Sequence, residues 1–237
     1  KLLNLGDLLL AELPAELGRL DGLKALALGD DFVTESSEFD ERLLIWRHLG
    51  LSDDFLAKTG SEFSATPIHD GGPQPHDWKR EKGLVLPNLA PLCGLTNLRQ
   101  LSLNCVDVKD ISALAELVTL EWLDMRQCSV TKIAPLANLN RLKYLNLEGN
   151  SKLDLSPLSN LSELEHLDLR GRPVKDLSAL NRLSNLKELS ISTFGQTDVS
   201  SLKSLPQLTT LRLHHCKLNE LTPFQSGFEK LHELDLT

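Results

Sequence analysis

Acid–base and metal chemistry needs histidine, cysteine or carboxylate side chains at short, defined spacing, and one stretch of this chain gathers them. HDGGPQPHD places His69, Asp70, His76 and Asp77 together, all residue types that ligate zinc or harder cations. Their spacing matches no metal motif, and the interleaved glycines and prolines read as a polar turn with solvated histidines. His214-His215 and His232-Glu233 are the other concentrations. Neither belongs to a nucleophile–base set. No glycine-rich phosphate loop, HExxH, GxSxG or CxxC occurs. No enzyme activity, catalytic residue, cofactor or metal is expected, which leaves recognition as the chemistry to look for.

Recognition has better candidates. Trp122, Tyr144 and His166 follow one another at intervals of 22 residues, and so do Arg126, Glu148 and Arg170. Trp, Tyr and Arg are the residue types that most often dominate binding energy at interfaces. What positions them is the invariant sequence around them. LxxLxL triplets start at Leu98, Leu120, Leu142, Leu164, Leu186 and Leu208, all their slots filled by Leu, Ile or Met, with a further copy at Leu231, Leu234 and Leu236. Further apolar columns keep the period: Leu92, Leu114, Leu136, Leu158, Leu180 and Leu202 in one, Leu95, Leu117, Leu139, Leu161, Leu183 and Leu205 in another.

A unit this short cannot bury such columns alone, so neighbours must stack and cover one another. Each unit supplies a short strand at LxxLxL and a short helical or 3-10 return. DISAL, DLSPL and DLSAL mark the returns: Asp110, Asp154, Asp176 and Ser112, Ser156, Ser178 are cap residues, and Pro157 suits the first helical position.

Side chains alternate across a strand, so the residues between the leucines face away from the core. Three gap columns follow. The first runs Gln100, Trp122, Tyr144, His166, Glu188, Thr210; the second Ser102, Asp124, Asn146, Asp168, Ser190, Arg212; the third Asn104, Arg126, Glu148, Arg170, Ser192, His214. With strands ~4.8 Å apart, each column is a ladder of touching side chains on a concave surface. The expected binding residues are Trp122, Tyr144, His166, Arg126, Glu148, Arg170, Asp124, Asp168, Arg212 and His214.

With LxxLxLxx(N/C)xL visible as LKYLNLEGN ending at Asn150, residues 1–29 and roughly 84–237 resemble the leucine-rich repeat family. The resemblance implies an α/β solenoid: a parallel concave sheet with short helical or 3-10 returns on the convex side. The slot the family gives to Asn or Cys holds Val106, Cys128, Asn150, Arg172, Phe194 and Cys216. That departs from the pattern in half the copies and argues against a regular side-chain ladder there. Cys128 and Cys216 read as small buried apolar residues. The period and the V-K-D-[IL]-S-x-L returns are similar to bacterial internalin-type and phosphatase-regulatory-type repeats, and LPAELGRL to a longer bacterial subtype.

The whole chain, 1–237, reads as a single domain with one large insertion at 30–83. SEFDERLLIWRHLGLSDDFLAK has a helical pattern, and the rest is loop-like. The insertion leaves just after a strand, beside the concave face, and its aromatics argue against full disorder; Trp46 and Trp78 are its expected contacts. LKALALGDDFVTE followed by a Trp-containing insert resembles the repeat domains of prokaryotic NACHT- and NB-ARC-type (STAND) signalling ATPases.

Bulk properties narrow the partners. A net charge of −8 over 237 residues argues against nucleic acid, and no apolar run approaches the ~20 residues of a membrane span. Four cysteines without a disulfide pattern fit a reducing, cytoplasmic setting. The chain lacks an initiator Met and a signal peptide and stops inside a repeat at LHELDLT, which reads as a segment of a longer protein. The expected function is a recognition module that binds a protein or peptide on the concave face and reports to flanking domains. The STAND resemblance implies the sensor of a prokaryotic signalling or defence protein. An internalin-like secreted or surface adhesin is the alternative.

Overall fold

The computed structural model describes residues 2–5, 12–28, 84–150, 153–174, 176–195, 199–216 and 228–236. The insertion at 30–83, with Trp46, Trp78 and the HDGGPQPHD stretch, lies outside the described residues. Among the described residues the strands are β1 (Leu2–Asn4), β2 (Ala25–Ala27), β3 (Val85–Leu86), β4 (Gln100–Ser102), β5 (Asp107–Val108), β6 (Trp122–Asp124), β7 (Tyr144–Asn146), β8 (His166–Pro173), β9 (Glu188–Gly195), β10 (Thr210–Cys216) and β11 (Glu233–Asp235). One nine-stranded parallel sheet runs β1-β2-β4-β6-β7-β8-β9-β10-β11, and β3 pairs with β5 in a second, small sheet.

Register follows the leucines. Leu101, Leu123, Leu145, Leu167, Leu189 and Leu211 lie directly opposite one another from strand to strand, and all are buried. A slip of one residue would turn this whole row outward, so burial locks the pairing. The return columns meet the strand leucines in the same core: Leu92, Leu114, Leu136, Leu158, Leu180 and Leu202 are each 0% exposed. The fold is a leucine-rich solenoid, one tier per repeat, with the sheet on one side and 3-10 turns on the other.

Those returns are 3-10 rather than α-helical, at Ser112–Glu116, Ala134–Asn138, Ser156–Asn160, Ser178–Arg182 and Ser200–Ser204. Each turn is 5 residues long, and tiers stacked ~4.8 Å apart favour this tight 3-10 form over an α-helix about 10 Å across. The caps are the aspartates. Asp110, Asp154 and Asp176 accept the backbone N–H of Ser112, Ser156 and Ser178 at 2.8, 2.9 and 2.8 Å. The serines are thus the capped first residues, not caps, and Pro157 takes the second position. Asn88 does the same for Ala90 at 2.9 Å.

Two further columns keep the tiers aligned. In five tiers the residue after the third gap column is left-handed: Cys105, Gln127, Gly149, Gly171 and His215 have φ of 60°, 52°, 75°, 86° and 56°. Only two are glycine, so the others hold a conformation that costs a side-chain-bearing residue about 1 kcal/mol, maintained by the ladder bonds on either side. At the opposite lip of the sheet, Arg99, Glu121, Lys143, Glu165 and Lys187 alternate in charge from tier to tier. Their backbones are joined by N–H···O=C bonds of 2.8 Å from Glu121 to Arg99, Lys143 to Glu121, Glu165 to Lys143 and Lys187 to Glu165. Ion pairs close Arg99–Glu121 at 3.2 Å and Lys187–Glu165 at 2.6 Å. The Lys187 hydrogen bond holds the Glu165 carboxyl below its usual range.

Candidate functional site

The sheet face opposite the core carries the three gap columns, and the structure brings the expected residues together. Trp122 pairs with Tyr144 and Tyr144 with His166 across adjacent parallel strands. The Trp122 and Tyr144 rings stack with centroids 5.0 Å apart and planes 10° apart. Tyr144 and His166 are tilted by 38° at 6.3 Å. Both separations fall in the range where aromatic pairs attract, and neither leaves room for a ligand between the rings. The strip therefore presents ring edges outward while its faces are spent on neighbours. All three side chains are half-buried, and this burial raises the pKa of the Tyr144 hydroxyl.

The second column is more deeply set than a solvent-facing ladder. Ser102, Asp124, Asn146 and Ser190 are buried, these short side chains lying between taller columns, and Asp124 and Asn146 fold back on their own backbone. Asp124 accepts the Arg126 N–H at 3.0 Å, Asn146 the Glu148 N–H at 2.9 Å, and Asp168 the Arg170 N–H at 3.0 Å. Each is a side chain satisfying the backbone two residues on, as in an Asx turn.

The same carboxylates orient the third column. Arg126 Nε and Nη2 both meet Asp124 Oδ2 at 2.9 Å. Arg170 Nε meets Asp168 Oδ1 at 3.0 Å and Oδ2 at 2.9 Å, with Nη2 to Oδ2 at 2.7 Å. Arg170 also reaches across a tier to Glu148 Oε2 at 3.0 Å. These carboxylate bonds raise the pKa of Arg170 further above its ordinary value. Two guanidiniums are thus held in a fixed pose, partly exposed, with their charge met from below. Asp124 and Asp168 act as positioners.

Arg212 and His214 lie on β10, farther along the sheet. Arg212 binds Glu233 through Nε at 3.1 Å and Nη2 at 2.9 Å, and approaches Glu188 Oε2 at 3.7 Å. His166 Nδ1 sits 3.5 Å from Glu188 Oε1. His214 is half-buried at the end of the third column. Glu188 was legible as the next member of the aromatic column, yet only the geometry gives it a role, as the group on which that strip ends.

Behind the sheet, the slot after each strand holds Val106, Cys128 and Asn150, all buried. Asn150 Oδ1 accepts the Val130 N–H at 2.9 Å, while Nδ2 donates to the Met125 carbonyl at 2.7 Å and the Leu147 carbonyl at 3.0 Å. Cys128 Sγ donates to the Leu103 carbonyl at 2.9 Å, the position equivalent to Met125 one tier earlier. A thiol thus replaces one of the amide's bonds, and burial pushes its pKa far up. The side chains of Arg172, Phe194 and Cys216 in this slot lie outside the description. Among the described residues no group of His, Cys, Asp and Glu is arranged to hold a metal ion.

Known proteins share this architecture. The family model for leucine-rich repeats (two copies) matches residues 118–160. Internalin C2 from Listeria monocytogenes is 32% identical over 64% of this chain and 67% of its own, with a TM-score of 0.60. Internalin F from the same organism is 27% identical, with a TM-score of 0.57; the match covers 64% of this chain but 45% of that protein. A plant peptide hormone receptor, RGFR1 in complex with RGF2, aligns over 100% of this chain and 34% of its own at a TM-score of 0.60; its 17% identity shows likeness of fold alone. No curated protein sequence matches the chain. On its periodic leucines, its stacked tiers and these likenesses, the chain belongs to the leucine-rich repeat family.

Proposed function

We propose that this domain is a protein- or peptide-recognition module whose partner lies on the concave sheet face. The observation that carries the reading is the Trp122–Tyr144–His166 strip beside Arg126 and Arg170. Large, rigid, half-buried rings and guanidiniums already fixed by Asp124 and Asp168 lose little freedom when a partner arrives, which is what binding hot spots require. Contact with a partner by a protein of the same fold agrees with it, since the plant peptide hormone receptor was solved in complex with RGF2.

Within that reading, the domain serves as the sensor of a larger prokaryotic STAND-type signalling or defence protein in the cytoplasm and relays occupancy to flanking domains. An internalin-like secreted or surface adhesin is the second reading, favoured by the 32% identity to internalin C2. Among the described residues no helix is long and apolar enough to cross a membrane, which is compatible with both. The sequence of the parent gene separates the two: an ATPase domain supports the first, a signal peptide and wall anchor the second.

The binding test is affinity capture by the wild-type chain and by Trp122→Ala plus Arg170→Glu, with folding of each checked by circular dichroism. The captured protein is identified, purified and titrated. A partner held by the wild type and lost by the folded double variant is the expected result. Equal affinity for both removes the proposed face.

A further inference from the structure

One carboxylate on this face, Glu188, is met by positive charge only at long range, and its position bears on the partner. Arg126 and Arg170 are each bound at 2.7–3.2 Å by the carboxylate two residues earlier in their own strand. Arg212 makes its short bonds, 2.9 and 3.1 Å, to Glu233. Glu188 is different. Its two oxygens face His166 at 3.5 Å and Arg212 at 3.7 Å, both too long for a strong charge-assisted bond, and its side chain is 42% exposed. It stands on the rung after His166, so the column reads Trp122, Tyr144, His166, Glu188: three rings and then a carboxylate.

Resting on the concave-face reading above, we infer that the partner is an extended peptide segment that sets two alternate apolar side chains on the Trp122–Tyr144–His166 strip and a lysine or arginine on Glu188. Spacing supports this register. Trp122 to Glu188 is three rungs, about 14 Å at ~4.8 Å each, and residues i, i+2 and i+4 of an extended chain share one side over about 13 Å. Apolar groups suit the closed ring stack, whose faces are unavailable for sandwiching. The cation suits Glu188, and the chain's net charge of −8 draws a basic segment in from a distance.

The test pans a phage library of random ten-residue peptides against the 237-residue chain as wild type, Glu188→Lys and Trp122→Ala. Selected peptides are resynthesised and titrated at two salt concentrations. Wild type should enrich peptides with apolar residues at i and i+2 and Lys or Arg at i+4, and Glu188→Lys should replace that basic residue with Asp or Glu. Glu188→Gln should weaken a selected peptide about tenfold, the scale of one removed charge contact of ~1.4 kcal/mol. The inference is overturned by absence of binders, by peptides without the basic bias, or by a bias that persists in Glu188→Lys. Peptides lacking the basic residue but lost with Trp122→Ala would sink this inference and leave the concave-face reading standing. Basic peptides bound equally by Trp122→Ala would sink both.

Discussion

Replacing Asn150 tests whether a single amide pins two tiers. The side chain is 3% exposed and bonds Val130 N–H, Met125 C=O and Leu147 C=O at 2.9, 2.7 and 3.0 Å. In Asn150→Ala, Leu147 C=O keeps a donor, because the backbone N–H of residue 150 also points to it at 3.2 Å. Val130 N–H and Met125 C=O lose these Asn150 bonds. At ~1–3 kcal/mol for each buried group left unsatisfied, the loss should be about 2–6 kcal/mol. Each kcal/mol lowers the melting temperature of a chain this size by about 2–4 °C. Asn150→Cys should lose less, because Cys128 shows that a thiol in this slot still donates to the carbonyl below it. Thermal melts followed by far-ultraviolet circular dichroism give the order wild type, Cys, Ala. Hydrogen exchange at the Val130 amide locates the damage. A loss below ~1 kcal/mol for Asn150→Ala with unchanged Val130 protection would refute the argument, as would Cys and Ala variants of equal stability.

Other perturbations have equally definite outcomes. A Cβ on Gly94 would overlap the Gly18 carbonyl, whereas one on Gly22 meets nothing within 4 Å; Gly94→Ala should cost about 1–3 kcal/mol in chemical denaturation and Gly22→Ala almost nothing. The Asp110, Asp154 and Asp176 carboxyls are held below their ordinary pKa by backbone N–H bonds from Ser112, Ser156 and Ser178. A folded-state value depressed below the unfolded one adds stability that is complete at neutral pH and lost as pH falls through the aspartate range. The triple Asp→Asn variant should therefore show a shallower acid limb in melts across about pH 5 to 2. Iodoacetamide at neutral pH should label exposed Cys93 and spare Cys128, which is buried with its thiol pKa raised; mass spectrometry of the digest reads the difference.

Most of the scaffold was legible because one physical demand repeats. Every tier must bury the same slots, so Leu123, Leu145 and Leu167 announce strand, face and register at once. The gap columns followed by alternation, and the pairing of Trp122 with Tyr144 and His166 came with them. What periodicity does not encode is the reach of individual side chains. Asp124 and Asp168 belong to an outward column yet turn back to bind Arg126 and Arg170. Which of aspartate and serine caps a return depends on a contact two residues long, and the spacing alone allowed both. The Asn slot looked irregular because Val106, Cys128 and Asn150 differ in chemistry; they share burial, and two of them share a bond. The insertion at 30–83, with Trp46 and Trp78, carries a helical pattern in its first half but not the repeat's period, from which face and register were read.

The lip of alternating charge has a consequence for how such a chain can lengthen. Arg99, Glu121, Lys143, Glu165 and Lys187 make the electrostatic unit cell two tiers, although the hydrophobic unit cell is one. Excising a single tier around Lys143 would seat Glu121 against Glu165, while excising two neighbours would restore an attractive seam. Gene duplication or protein engineering by even numbers of units preserves the edge; odd numbers introduce a like-charge fault that the leucines, identical everywhere, cannot detect.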